Sequence, residues 1–279
     1  MSRKKGFTLV ELLVVISIIA LLMAILLPAL GRARAFARRD VCANRIRQFM
    51  IAIMAYADTF NDTLPKGAMG APMSAIVKGQ GWSQPNWLWH TDYDYIAKYL
   101  KDTRIMMCTD VPASIKNGID YLGVRYHGVP YIPNWLTGSW KNNTYLLGYG
   151  YMAGHYAQFW TEPTAADTDV SGVKVEPWIS PSRIADSGKL PLVIDIVSDD
   201  PGDGTNNPSI FVSHGGSGPK EGAPDNYTVQ QQVPAGGLNV GTMDGAVQWK
   251  GIKDTKPHMV LWNFNTYAAP PHTMLLWYW

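Results

Sequence analysis

The chain has 279 residues, 47% of them hydrophobic and 16% charged, and a net charge of +2. That length and apolar content exclude a largely disordered chain and allow a sizeable core in one large or two small domains. Residues 1–47 carry nine Lys/Arg against two acidic residues, Glu11 and Asp40, and the rest carries fifteen against twenty; so acidic a body argues against a nucleic-acid partner, because phosphate binding needs clustered cations.

The first element is the N-terminus. Met1-Ser2-Arg3-Lys4-Lys5-Gly6 precedes an apolar run from Phe7 to Leu30, broken only by Thr8, Glu11, Ser17 and Pro28. As a helix, those twenty-four residues would be about 36 Å long, enough for a bilayer core about 30 Å thick. An ordinary secretory signal peptide fits poorly, because its apolar region runs to ~15 residues at most and a small-x-small cleavage site should follow. Glu11 is the informative residue, since a carboxylate inside an apolar span costs about 2.5 kcal/mol or more. Cleavage between Gly6 and Phe7 would create a partner, the new α-amino group of Phe7, in its own chain or a neighbouring one.

Gly6-Phe7-Thr8-Leu9-Val10-Glu11-Leu12-Leu13-Val14-Val15 resembles the class III signal of type IV prepilins and type II secretion pseudopilins. A short basic leader, Gly before the scissile bond, an aromatic residue after it and Glu at the fifth mature position are all present. The resemblance implies cleavage and N-methylation by a prepilin peptidase, a single-pass inner-membrane anchor with a cytoplasmic N-terminus, and helices packed into a filament core. Flanking charge does not impose that orientation: Arg3, Lys4 and Lys5 stand on one side, and Arg32, Arg34, Arg38 and Arg39 on the other. The orientation follows the motif, since the peptidase must reach Gly6 from the cytoplasm.

The apolar positions Cys42, Ile46, Phe49/Met50, Ile53, Ala57 and Phe60 recur at spacings of three and four, which predicts that the helix continues beyond the membrane. It should end near Asn61-Asp62-Thr63-Leu64-Pro65. Pro28 removes one backbone hydrogen bond and should leave a weak point in a continuous helix. Beyond Pro65, a short helix is expected over Asp94–Asp102, and strands over Thr144–Tyr151, Leu190–Val197, Gly237–Trp249 and Met274–Trp279. The expected organisation is a leader (1–6), a membrane and filament-core helix (7–30), its extracytoplasmic continuation (31–62) and a loop-rich head of antiparallel sheet (63–279), a pilin-like α+β fold.

Several short stretches also resemble the large pseudopilin-like proteins of Planctomycetes. They are Cys42-Ala43-Asn44-Arg45-Ile46-Arg47-Gln48 with Tyr56-Ala57, Met107-Cys108-Thr109-Asp110 after Tyr99-Leu100, and Leu192-Val193-Ile194-Asp195. His214-Gly215-Gly216 and the strand Leu238-Asn239-Val240 leading to Asp244-Gly245 match that family's C-terminal His…Asp-Gly pattern. An insertion near Ser217–Ala235 separates His214 from Asp244 by far more than the pattern does. Thr109 stands where the family has proline.

Other groupings have two readings each. Asp199, Asp200, Asp203 and Asn206 lie in a Gly-rich stretch of the kind that supplies oxygen ligands to calcium, or a solvated turn. His90, Asp92 and Asp94 would share one face of a strand, as a metal or catalytic set or part of an aromatic loop. Cys42 and Cys108 are the only cysteines; outside the cytoplasm they form a disulfide or remain two buried thiols. Trp82, Trp87, Trp89, Trp135, Trp140 and Trp160 either stack on sugars or fill the head. No catalytic set is legible, so the chain is read as a non-enzyme: a structural subunit of a type IV pilus-like filament or of a type II secretion pseudopilus, in the periplasm or at the cell surface. Its partners would be further copies of itself, prepilin peptidase, the pilus or secretion assembly machinery and the membrane. The alternative is a membrane-tethered carbohydrate-binding or enzymatic domain on a prepilin-like anchor.

Intact-mass analysis of host-derived protein should show a mature chain that starts at Phe7 with one methyl group on its α-amine. A chain retaining Met1–Gly6, or one starting near residue 30, would contradict the class III reading.

Overall fold

The computed structural model describes residues 8–69, 83–110, 144–155, 169–170, 173–174, 180–186, 188–200, 209–214, 236–261 and 274–279. They form an α+β protein of pilin-like layout, a long N-terminal helix followed by antiparallel sheets. The chain divides into two compact units, Met1–Asp40 and Val41–Trp279.

Helix α1 spans Leu9–Thr59 and passes through Pro28 without ending. Within the first unit its apolar side chains, from Leu9 to Leu30, are exposed, and this is the one helix among the described residues long and apolar enough to cross a membrane. Its polar interruptions are satisfied locally. The Ser17 hydroxyl donates to the Val14 carbonyl at 2.8 Å, and Glu11 is held by Thr8 as described below.

Within the second unit the same helix is one-sided. Cys42, Ile46, Phe49, Met50, Ala52, Ile53, Tyr56 and Ala57 are buried, the three-and-four spacing expected of a helix lying on a core. Phe60 is only partly buried. Asn61 and Asp62, with φ of 54° and 60°, turn the chain out of the helix in the left-handed conformation that Asn and Asp tolerate best.

The strands that follow are β1 (Gly67–Met69), β2 (Ser83–Trp89), β3 (Thr144–Leu146), β4 (Tyr149–Tyr151), β5 (Asp169–Val170), β6 (Val173–Lys174), β7 (Pro191–Asp195), β8 (Val197–Asp200), β9 (Ser209–Val212), β10 (Gly237–Thr242), β11 (Val247–Gly251), β12 (Pro257–Leu261) and β13 (Met274–Tyr278). They pair as a three-stranded sheet β1-β2-β3, two four-stranded sheets β11-β10-β7-β4 and β12-β13-β8-β9, and a two-stranded β5-β6. Every β7 residue is buried, and its register sets Val240 opposite Ile194 and Gly150 opposite Ile194 on its other edge. After Ile196 the chain passes directly from β7 into β8, which belongs to the second four-stranded sheet.

Helix α1 approaches β10 at Gly241. A Cβ there would lie 2.6 Å from the Met50 sulfur and 2.7 Å from the Ile46 Cγ2, so only glycine admits the helix at that distance. These contacts join one core that also holds Tyr149, Tyr151, Leu192 and Val193.

Four sequence expectations change. The expected strand Thr144–Tyr151 is two strands, β3 and β4, which belong to different sheets. Helix α2 runs over His90–Tyr99, earlier than Asp94–Asp102. His90, Asp92 and Asp94 therefore do not share a strand face: Asp92 is buried, Asp94 exposed, and the His90 side chain lies outside the described residues. Asp92 is a structural acceptor, taking the Tyr56 hydroxyl at 2.9 Å and the Lys66 backbone N–H at 2.6 Å. The expected strand Gly237–Trp249 is a hairpin of β10 and β11, because Asp244-Gly245 turns the chain. The Thr242 hydroxyl and the Ala246 N–H donate to Asp244 Oδ1 at 2.6 and 3.1 Å, and Gly245 adopts φ +85°. Strands β1, β2, β5, β6, β9 and β12, and β8 beyond Val197, were not anticipated from the sequence.

His155 provides a pH test of this packing. Its ring lies against Gly67, and Nε2 donates to the Tyr151 carbonyl at 2.8 Å. Burial lowers its pKa from 6.5 to about 4, so the unfolded state binds the extra proton between those values. Its contribution to stability is intact above pH 6.5 and falls as pH drops towards 4, by about 3 kcal/mol at the lower end. Denaturant unfolding at stepped pH should show this slope, and His155→Gln should remove it.

Candidate functional site

The site begins with Asp195, the last residue of β7, whose carboxylate has no exposed surface. A buried carboxylate needs compensating donors. Asn239 of β10 supplies two to Oδ2, its backbone N–H at 2.7 Å and its side-chain Nδ2 at 2.8 Å. The third partner of Oδ2 is His214 Nε2 at 3.2 Å. Oδ1 of the same carboxylate is buried without a hydrogen-bond partner, as is the Tyr149 hydroxyl.

His214 lies two residues beyond the end of β9. Its carbonyl accepts from the Gly237 N–H at 3.2 Å, so the segment between them leaves and returns at one point, and His214 still arrives beside the Asn239 strand. The insertion therefore does not separate His214 from β10. It does separate the two ends of the family pattern in role, since Asp244 serves the hairpin turn.

The other His214 nitrogen, Nδ1, faces Asp110 Oδ2 at 3.1 Å. Nε2 also lies 3.6 Å from the Cys108 sulfur, and Cys108 Sγ lies 3.1 Å from Cys42 Sγ. Both cysteines are buried free thiols. Backbone donors point at both sulfurs: Thr109 N–H to Cys42 at 3.2 Å and Asp110 N–H to Cys108 at 3.4 Å. The ring of Trp249 stands edge-on to His214, with centroids 5.8 Å apart.

Proton affinities in this cluster are unequal. The Cys108 thiol donates to Cys42 and lowers the Cys42 pKa against the effect of burial, aided by His214 and Thr109. Burial raises Cys108, and the same hydrogen bond adds to that. Burial alone would lower His214, but the hydrogen bond to Asp195 and the neighbouring Cys42 outweigh it and raise it. Burial raises Asp195, opposed by its bond with His214. Cys42, Cys108, Asp195 and His214 each offer a ligand atom, and the four atoms lie within 4.8 Å of one another. Cys42 and Asp195 have no exposed surface.

The structure treats the other candidate residues differently. Glu11 and Thr8 form a capping box at the start of α1. Glu11 Oε2 accepts the Thr8 N–H at 2.8 Å and the Thr8 hydroxyl at 2.7 Å, and Thr8 Oγ1 accepts the Glu11 N–H at 3.2 Å. Glu11 thus has a local partner that the sequence reading did not assign. Pro28 lies inside the helix. Gly6 and Phe7 are outside the described residues. Asp199 and Asp200 are strand residues of β8, with Asp199 opposite Ile210 and Asp200 opposite Ser209. Asp203 and Asn206 lie outside the described residues, as do Trp82, Trp135, Trp140 and Trp160.

Asp195, His214, Asp110 and Asn239 were not assigned to a site from the sequence. Each sits in one of the short stretches of family resemblance, but nothing in the sequence joins those stretches.

The comparisons agree with the N-terminal reading. Residues 1–27 match the family described as the prokaryotic N-terminal methylation motif, and residues 31–103 match a protein of unknown function, DUF1559. No curated protein and no solved structure matches the chain. The chain is thus a prepilin-type protein: it carries the class III signal of prepilins and pseudopilins ahead of an apolar helix suited to membrane anchoring. That motif implies processing by prepilin peptidase and handling by membrane assembly machinery.

Asn239→Val should remove one charge-assisted hydrogen bond from Asp195 while keeping the strand. Unfolding in denaturant should shift by about 1–3 kcal/mol with unchanged slope. An unshifted midpoint would mean that Asp195 does not depend on Asn239.

Proposed function

We propose that the protein is a structural subunit of a type IV pilus-like filament or type II secretion pseudopilus, and not an enzyme. Prepilin peptidase cuts after Gly6, the Phe7 amine is methylated, and α1 enters the filament core through its exposed apolar segment. The observation that carries this reading is Glu11, a carboxylate within an apolar helix at the fifth mature position.

Thr8 meets part of the hydrogen-bonding need of Glu11 but brings no positive charge. The Phe7 amine, freed by cleavage, would bring that charge about one helical turn away, and a neighbouring subunit's amine could occupy the same place. The pairing would neutralise a charge that otherwise costs about 2.5–3.5 kcal/mol in the membrane. It would also set the axial register of one helix against the next. A carbohydrate-binding or enzymatic domain on a tether would have no such need.

Paired substitutions separate helix capping from assembly. Thr8→Ala removes the capping box and leaves the carboxylate; Glu11→Val removes both. Membrane insertion should be equal or better in Glu11→Val, while filament yield by electron microscopy should fall at least tenfold and remain near wild type in Thr8→Ala. Normal filaments in Glu11→Val would refute the assembly role. Equal loss in both variants would reduce Glu11 to a helix cap.

A further inference from the structure

We propose that Cys42, Cys108, Asp195 and His214 bind one zinc ion, which ties helix α1 to the two four-stranded sheets. Three independent features of the cluster support the site, and none of them depends on the filament reading.

The first is the donor set. Two sulfurs, one imidazole nitrogen and one carboxylate oxygen, all within 4.8 Å of one another, are ligands of the type and number that zinc takes in closed structural sites. Tetrahedral zinc, with bonds of about 2.3 Å to sulfur and about 2.0–2.2 Å to nitrogen and oxygen, spaces its ligand atoms roughly 3.3–3.8 Å apart. The separations here are 3.1 Å between the sulfurs and 3.6 Å from Cys108 Sγ to His214 Nε2, and the Asp195 carboxylate reaches the same nitrogen through Oδ2 at 3.2 Å, which leaves Oδ1 as the oxygen for the ion. The sulfurs must part by about 0.7 Å to admit the ion, and the sulfur–nitrogen separation already fits.

The second is the set of unsatisfied oxygens. Asp195 Oδ1 and the Tyr149 hydroxyl are buried without hydrogen-bond partners, an arrangement that is costly unless another group occupies the space. Asp195 has a free oxygen for the ion while Oδ2 keeps its two Asn239 bonds.

The third is the surrounding shell. Zinc-bound histidines usually donate their other ring N–H to a carboxylate, which sets the tautomer and the ring orientation. His214 has Asp110 in that place, 3.1 Å from Nδ1. Backbone N–H groups of Thr109 and Asp110 point at the two sulfurs, as thiolate ligands require. Arg45 donates to the carbonyl of Met107, one residue before Cys108, at 2.7 Å and places a cation beside a site of two thiolates and a carboxylate. A disulfide would use only two of these groups and give Asp195 Oδ1 no partner.

The four ligands come from α1, the segment before Thr109, the end of β7 and the second residue after β9. One ion therefore links pieces that only the folded chain brings together. Binding releases to solvent the protons that the two thiols and the imidazole carry beforehand, since both cysteines ligate as thiolates and His214 as neutral imidazole.

The test uses full-length protein in detergent, reduced with a phosphine, exposed to zinc sulfate and freed of loose metal on a chelating resin. Elemental analysis should find one zinc per chain, and cobalt substitution should give a thiolate-to-metal charge-transfer band. Cys42→Ser with Cys108→Ser should abolish both signals. Because that variant can also fail to fold, Asp110→Asn supplies a second measure. Its side chain is 22% exposed, circular dichroism should be unchanged, and zinc affinity should fall about 10–100-fold. Folded, reduced wild-type protein that retains no zinc overturns the proposal, as does host-purified protein with a Cys42–Cys108 disulfide and no metal. Unaltered affinity in folded Asp110→Asn overturns the site as assigned here.

Discussion

A carboxylate with no exposed surface imposes its demands on everything around it. Removing Asp195 from water costs several kcal/mol unless donors replace the lost hydration, and the head supplies them from separate parts of the chain. Asn239 must lie opposite the end of β7, which holds the register of β10 with Val240 against Ile194. His214 must come off β9 at the same point, where its carbonyl accepts from the Gly237 N–H at the start of β10. The two cysteines then fill the remaining side of the imidazole, and Cys42 brings helix α1 with it.

Helix α1 has a different environment in each of the two units. From Val41 onward, one face is core, down to a glycine in β10 that lets Ile46 and Met50 close onto the sheet. Before Asp40 the apolar side chains have no protein around them. Such a surface is stable only in lipid or against other apolar helices. The polar residues left in it, Thr8, Glu11 and Ser17, each bond to their own helix, as a low-dielectric surrounding requires.

The local features of this protein were legible in its sequence. The signal, the length of the helix, its buried positions and its end at Asn61 and Asp62 depend on residues within a few positions of one another, where periodicity and turn chemistry act directly. Strand β7 and the last strand were also legible as apolar runs. The Asp244-Gly245 turn was passed over because it sits inside one such run, and the start of α2 because Trp87 and Trp89 precede it without a break. Strand β12 begins at Pro257, a residue that argues against strand unless the strand lies at a sheet edge, as this one does.

The site was decided elsewhere. Cys42 lies 66 positions from Cys108, and Cys108 lies 106 from His214. No periodicity operates over such distances. The sequence alone determined which residue types were available: two cysteines, a strand ending in Asp, and a histidine among glycines. Tertiary structure decided that they meet, because only the crossing of α1 over β10 and the return of the chain at Gly237 bring the sulfurs, the imidazole and the carboxylate into one buried volume.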